Sequence, residues 1–194
     1  MKPRIGLAMT GSYCTFEKAM QAAEALARRY DLTAILSETA AATDSRFGRA
    51  EEHIARLERI TGKPVLRSIV EAEPIGPRDL FDVLAVAPCT GNTLAKLAAG
   101  ITDSAVTMAV KSHLRGGKAV VIAFGSNDGL SASAKNLGEL LNRKQYFFVP
   151  LYQDDPEKKP RSLAADYTLL EDTIRAAWEG RQLQPILRQS VAVG

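Results

Sequence analysis

A three-layer α/β domain with a parallel sheet of about six strands is the fold this chain predicts, and three observations predict it. Short apolar runs alternate with amphipathic helical stretches from end to end. The run 83–87 is apolar at every position, as in a strand covered on both faces. Pro88 closes that run, and Leu94, Leu97, Ala98 and Ile101 then recur at helical spacing, so the period changes across one turn. The 194 residues suffice for one domain with a sizeable core, and no repeat, low-complexity tract or long linker divides them. Residues 1–194 are therefore read as a single domain with a short tail over 181–194.

Residues 4–9 are read as the first strand and 15–30 as a helix. Its Phe16, Ala19, Met20, Ala23, Leu26, Ala27 and Tyr30 share one apolar face. A second strand, 32–36, leads into a polar loop through Phe47. Residues 48–61 read as helical, with Ala50, Ile54, Leu57 and Ile60 inward and Gly62 as the stop. A short strand within 64–70 precedes a loop set by Pro74, Gly76 and Pro77. After the central strand and helix come a helix at 103–114 ended by Gly116 and Gly117, and a strand at 118–124. A helix at 131–142 and a strand at 146–151 follow. A charged, proline-bounded loop, 153–161, separates these from a last helix at 165–178.

Hydrophobic content of 46% and charged content of 24% are those of a globular protein. With 25 basic and 22 acidic side chains, the formal charge of +3 is small and dispersed. No basic run interleaved with aromatics suggests a nucleic-acid groove. No stretch approaches membrane-spanning length and no signal-peptide pattern opens the chain, so a cytoplasmic protein is expected. Cys14, Cys89, His53 and His113 have no metal-ligand spacing, and no metal is expected.

In such sheets ligands bind beyond the carboxyl ends of the strands. The first strand ends in Thr10-Gly11-Ser12, the second in Ser37-Glu38-Thr39, and the central one in Pro88-Cys89-Thr90-Gly91-Asn92-Thr93. A later strand ends in Gly125-Ser126-Asn127-Asp128-Gly129. Thr90 to Thr93 fall where a new helix exposes unpaired N–H groups at its positive end, and glycine lets an anion approach. The turns match neither a Walker motif nor G-x-G-x-x-G, so a mononucleotide phosphate fits better than a dinucleotide. The same residues also serve plain helix capping, and both readings stay open here. His113 lies on an apolar stripe and reads as a packed residue or a partner of its helix C-terminus. His53 reads as a surface residue, and Cys89 as a packed thiol at the ligand turn. Arg46, Lys158 and Arg161 are candidate clamps for carboxylates, against a solvated charged surface.

Thr10-Gly11-Ser12, Ala87-Pro88-Cys89-Thr90-Gly91-Asn92-Thr93 and Ile101-Thr102-Asp103-Ser104 resemble motifs of the flavoprotein family of FMN-dependent decarboxylases and prenyltransferases. Ser45-Arg46-Phe47-Gly48, Ala72-Glu73-Pro74-Ile75-Gly76-Pro77, Ser126-Asn127-Asp128, Gln153-Asp154-Asp155-Pro156 and Gln182-Leu183-Gln184-Pro185-Ile186-Leu187 resemble, within it, the B subunits of bacterial dipicolinate synthases. The resemblance implies a Rossmann-like, flavodoxin-like fold and FMN bordered by Thr10, Gly11, Ser12, Ser37, Pro88, Thr90, Gly91, Asn92 and Thr93. It further implies a homo-oligomer in the mother cell of a sporulating bacterium, and a partner A subunit carrying NADP. Together the subunits would dehydrate and oxidise a hydroxy-tetrahydrodipicolinate to dipicolinate. A stand-alone decarboxylase or prenyltransferase, and a non-catalytic scaffold for the A chain, are the competing expectations. Cys89-Thr90-Gly91 replaces the decarboxylases' Ala-Ser-Ala, and Gly125-Ser126-Asn127-Asp128 stands where they carry Ala-Met-Asn, so cysteine decarboxylation is not expected.

Overall fold

The structure, a computed structural model, describes residues 2–189. In chain order the elements are β1 (Arg4–Met9), α1 (Phe16–Arg29), β2 (Asp31–Leu36), α2 (Glu38–Ala42), α3 (Ala50–Thr61) and α4 (Ile69–Ala72). Then follow β3 (Val83–Cys89), α5 (Gly91–Ala99), α6 (Ala105–Leu114), β4 (Ala119–Ser126) and α7 (Ala134–Leu141). The chain continues through β5 (Tyr146–Phe148), β6 (Leu151–Tyr152), β7 (Leu163–Ala165) and α8 (Leu170–Trp178). Strands β2, β1, β3, β4 and β5 lie side by side in that order, all parallel. All of β3 is buried, as its unbroken apolar run requires. Helices α1 and α8 pack together on one face, while α6 meets α4 and α5 on the other, with α7 against α5. Leu7, Val86, Ile122, Phe124 and Phe148 belong to one continuous hydrophobic core.

Several elements differ from expectation. Pro88 does not stop the central strand. The β3–β4 register shifts between Val86 and Cys89, and pairing resumes at Cys89 with Phe124. A bulge is where a strand tolerates a residue that has no N–H. Ile101 lies beyond α5, because Gly100 takes a left-handed φ of 72° and ends the helix; its side chain is exposed. Residues 64–70 form no strand. Leu66 makes one isolated bridge to Ile35, and Ser68 with Glu71 then caps α4 where a loop was expected. The stretch 38–42, read as loop, is helical because the Ser37 hydroxyl accepts from the Ala40 N–H.

The largest difference is after β5. The run 146–151 is two strands, and the last helix starts at Leu170, because Leu163–Ala165 is a strand. That strand, β7, runs antiparallel to the end of β4 and pairs with β6. The sheet therefore has seven strands, with an antiparallel flap added at the carboxyl end of β4. The segment after α8 returns to this flap. The Gln182 side chain donates to the Phe148 carbonyl and accepts from its N–H, each at 2.7 Å, and Leu187 bridges Leu151. Positions 190–194 of the expected tail lie outside the described residues.

His113 is a packed residue. Its Nε2 sits 3.0 Å from the Ala119 carbonyl oxygen, and burial lowers its pKa to about 4, so the ring is neutral. His53 packs edge-to-face on Phe16, with ring centroids 5.0 Å apart.

Candidate functional site

The sheet is laid down from β1 outward, to β2 on one side and to β3 and β4 on the other, so the strand order switches between β1 and β3, where a ligand crevice is expected beyond the carboxyl ends. The loops after those two strands are tied together by one residue. The Thr10 N–H and hydroxyl both donate to the Pro88 carbonyl, at 3.1 and 3.0 Å, and the same hydroxyl accepts from the Thr90 N–H at 3.0 Å. Thr10 is buried and the one hydrogen of its hydroxyl is given to Pro88, so it positions the crevice and has no donor left for a phosphate. Pro88 likewise contributes its carbonyl to this lock.

At the start of α5 the Thr90 hydroxyl caps the helix, accepting from the Thr93 N–H at 3.2 Å. The Leu94 N–H bonds to the Thr90 carbonyl, so the N–H groups of Gly91 and Asn92 remain without a partner among the described residues. Both donors project at the positive end of a nine-residue helix. The Ser12 hydroxyl caps nothing, and the Asn92 side chain is exposed. Gly11, Ser37, Thr90, Asn92 and Thr93 line one cleft of about 380 Å³, within the usual range for small-ligand sites.

This cleft also contains charged residues that are not among the sequence candidates. Glu38 accepts from the Ala105 N–H at 3.0 Å and so caps α6, and Lys96 pairs with Asp103 at 2.8 Å. On the other side of Gly91 lies a carboxylate held by two hydroxyls. Asp128 accepts from the Ser126 hydroxyl and, at 2.8 Å, from the Ser133 hydroxyl. These bonds hold its carboxyl below the usual range. Gly91 permits this approach, since a Cβ there would lie 2.8 Å from the Ser133 oxygen. Ser126 and Asp128 belong to a strand end that the sequence marks. The part of Ser133 and Glu38 depends on long-range packing that no local motif carries.

Cys89 is fully buried, and burial pushes its thiol pKa up, so it is no thiolate nucleophile. None of the three candidate clamps lines the cleft. Arg46 stacks on Phe47, 4.8 Å from the ring centroid, in the loop between α2 and α3. Lys158 and Arg161 are exposed on the β6–β7 loop, which the Leu130 N–H ties to the β4–α7 loop through the Arg161 carbonyl, at 2.8 Å. That loop thus hangs over the carboxyl edge. Its Lys159 pairs with Asp154 at 2.9 Å.

A family model described as Flavoprotein matches residues 1–169. The chain belongs to the flavoprotein family. This flavoprotein is 41% identical over 185 residues to the B subunit of dipicolinate synthase of Bacillus subtilis (strain 168), covering 95% of this chain and 92% of that one. Its structure is similar to the crystal structure of the dipicolinate synthase B subunit from Bacillus halodurans C, with a TM-score of 0.89 and 37% identity. That match covers 98% of this chain and all of the other. The FMN-dependent cysteine decarboxylase SpaF, at 18% identity, has the same fold with a TM-score of 0.67 over 92% of this chain and 97% of its own. Among the described residues no helix is long and apolar enough to cross a membrane.

Proposed function

We propose that the chain is the B subunit of a dipicolinate synthase, holding FMN in the cleft between the β1 and β3 loops. It acts with an A subunit that carries NADP. The observation that carries this reading is the 41% identity to a dipicolinate synthase B chain across 95% of the sequence. The cleft fits a phosphorylated flavin in its donor set. The Asn92 N–H and side-chain amide would take the phosphate, with the Gly91 N–H and the Ser12 hydroxyl from the adjoining turns, and Ser37 and Thr93 would border it with Gly11 and Thr90. Thr10 and Pro88 hold the two loops at the right separation.

The substrate of this reading is a hydroxy-tetrahydropyridine dicarboxylate. It loses water, then two electrons and two protons, and becomes an aromatic pyridine dicarboxylate. When bound, a flavin supplies a two-electron acceptor, as does the nicotinamide of the partner. The chain's own part is to bind and orient. Arg46, Lys158 and Arg161 are free of ion pairs among the described residues and are proposed to face the two carboxylates. Lys158 and Arg161 reach the carboxyl edge on the flap. The reading places a homo-oligomer in the mother cell of a sporulating bacterium.

The test is a visible-absorption titration of the purified chain with FMN, alone and with the A subunit. A saturable shift of the flavin bands, lost in Asn92→Leu, is expected. No shift in either case removes flavin from the site and leaves the redox step to the partner. Turnover without any A subunit would instead favour a self-sufficient enzyme.

A further inference from the structure

Loss of water from a hydroxylated ring takes a proton from carbon, and that requires a base at the crevice. Several carboxylates near it are committed elsewhere. Asp103 pairs with Lys96 at 2.8 Å, Asp154 pairs with Lys159 at 2.9 Å, and both oxygens of Glu38 accept from the Ala105 N–H. Asp128 differs from all three. It has no cation partner among the described residues, and the hydroxyls of Ser126 and Ser133 both donate to its Oδ1. The other oxygen, Oδ2, is not buried and receives no hydrogen bond from the described residues. Two neutral donors on one oxygen fix the direction of the carboxylate and keep it ionised, with the charge on Oδ2 unpaired. Helix capping does not account for it. The Thr90 hydroxyl caps α5, and no side-chain bond caps α7.

Its place is as specific as its bonds. A Cβ on Gly91 would lie 3.4 Å from Asp128 Oδ1, which puts the carboxylate beside the turn whose Thr90 and Asn92 line the cleft. The flap stands on its other side. Ser126 pairs with Leu163 of β7, and a Cβ on Gly129 would lie 2.8 Å from the Leu163 side chain. The Leu130 N–H bonds to the Arg161 carbonyl at 2.8 Å. Asp128 thus lies between the turn read as holding the cofactor and the loop whose Lys158 and Arg161 are read as facing the substrate carboxylates.

We propose that Asp128 is a catalytic residue, the base that takes the C–H proton when the substrate loses water. The proposal rests on the substrate reading given above. Oδ2 accepts the proton, and the C–H electron pair becomes the new ring double bond. The neighbouring C–O bond breaks, and its electron pair leaves with the oxygen. The proton then passes from Asp128 to that oxygen, which departs as water, and the carboxylate is restored. No electrons leave the ring, so the step needs no acceptor. Ser126 and Ser133 are positioning residues for the base.

The experiment follows turnover by the full chain with the A subunit, FMN and NADP on two substrates. One is the hydroxylated ring, and the other is the dihydropyridine dicarboxylate that has already lost water. Asp128→Asn is expected to lower turnover of the first by about a hundredfold or more and to leave the second as in wild type. Any other pattern, with both retained or both lost, overturns the assignment. Ser133→Ala removes one of the bonds that favour the ionised carboxylate, so the acidic limb of its rate–pH profile on the hydroxylated ring moves to higher pH. An unmoved limb overturns the assignment as well. Circular dichroism verifies that each variant is folded, and if Asp128→Asn is not, the Ser133→Ala profile decides. Failure of the wild-type complex to turn over either substrate instead refutes the functional reading itself.

Discussion

Gly91→Ala tests the claim that the start of α5 and the Asp128 cluster are packed against each other. The added methyl would lie 2.8 Å from Ser133 Oγ, 3.3 Å from Ser126 Oγ and 3.4 Å from Asp128 Oδ1. The first contact is too short to persist, and Ser133 is only 4% exposed, so its hydroxyl has little room to swing away. Moving it breaks or bends the 2.8 Å bond to Asp128. A hydrogen bond to a charged group contributes about 1.5–3 kcal/mol. Alanine returns at most about 1 kcal/mol of helix propensity over glycine, and less at the first helical position. The net loss is about 1–2 kcal/mol. For a chain of 194 residues this lowers Tm by about 2–8 °C. The assay is thermal unfolding of wild type, Gly91→Ala, Ser133→Ala and the double variant. Removing the Ser133 oxygen removes the clash, so the glycine substitution should cost at least about 1 kcal/mol less in the Ser133→Ala background. A Tm at or above wild type, or an equal loss in both backgrounds, refutes the reasoning.

His113 gives a pH signature. Unfolded, the imidazole titrates near 6.5, whereas in the fold it stays neutral until about pH 4. The unfolded chain therefore binds the extra proton in this window, and stability present above pH 6.5 is lost as pH falls toward 4. Between pH 6.5 and 5 the loss from this residue is about 1.5 kcal/mol, and urea unfolding should show that His113→Leu removes it from the slope. The thiols divide sharply: an aromatic disulfide reagent should label one sulfhydryl, Cys14, in the native protein, and reach Cys89 only in denaturant. Rapid reaction of two thiols in the folded chain would refute the burial of Cys89.

The parallel half of the fold is legible because its signals are local. The run from Val83 to Ala87 and the helical return of Leu94 and Leu97 identify strand and helix from a few residues each. The flap is not legible. Leu151–Tyr152 and Leu163–Ala165 are too short to show a period, and their pairing is fixed by β4 lying alongside. The helical stretch over 38–42 escapes because five residues carry little periodicity, and its capping bond from Ala40 to Ser37 is visible only once folded. At the cleft, residue types mark the loops that line it, while roles depend on distant partners. Thr10 has the hydroxyl of a ligand residue, yet it is spent on Pro88 and Thr90, nearly eighty positions away. Gly91 reads as room for a ligand, and on one side that room is taken by the chain's own Ser133.

The Thr10 lock has a further meaning for how the molecule responds to what it binds. One hydroxyl gives to one loop-bearing strand and takes from the next residues of the same turn, so neither wall of the crevice can shift without breaking bonds to the other. Together with the parallel pairing of β1 and β3 directly beneath, the two loops behave as a single cast piece. A ligand entering there meets a mould already set, and little of its binding free energy is consumed in ordering backbone. The opposite side of the opening is built differently: there an exposed loop between β6 and β7 carries Lys158 and Arg161 and is joined to the β4–α7 loop by the Leu130 N–H on the Arg161 carbonyl.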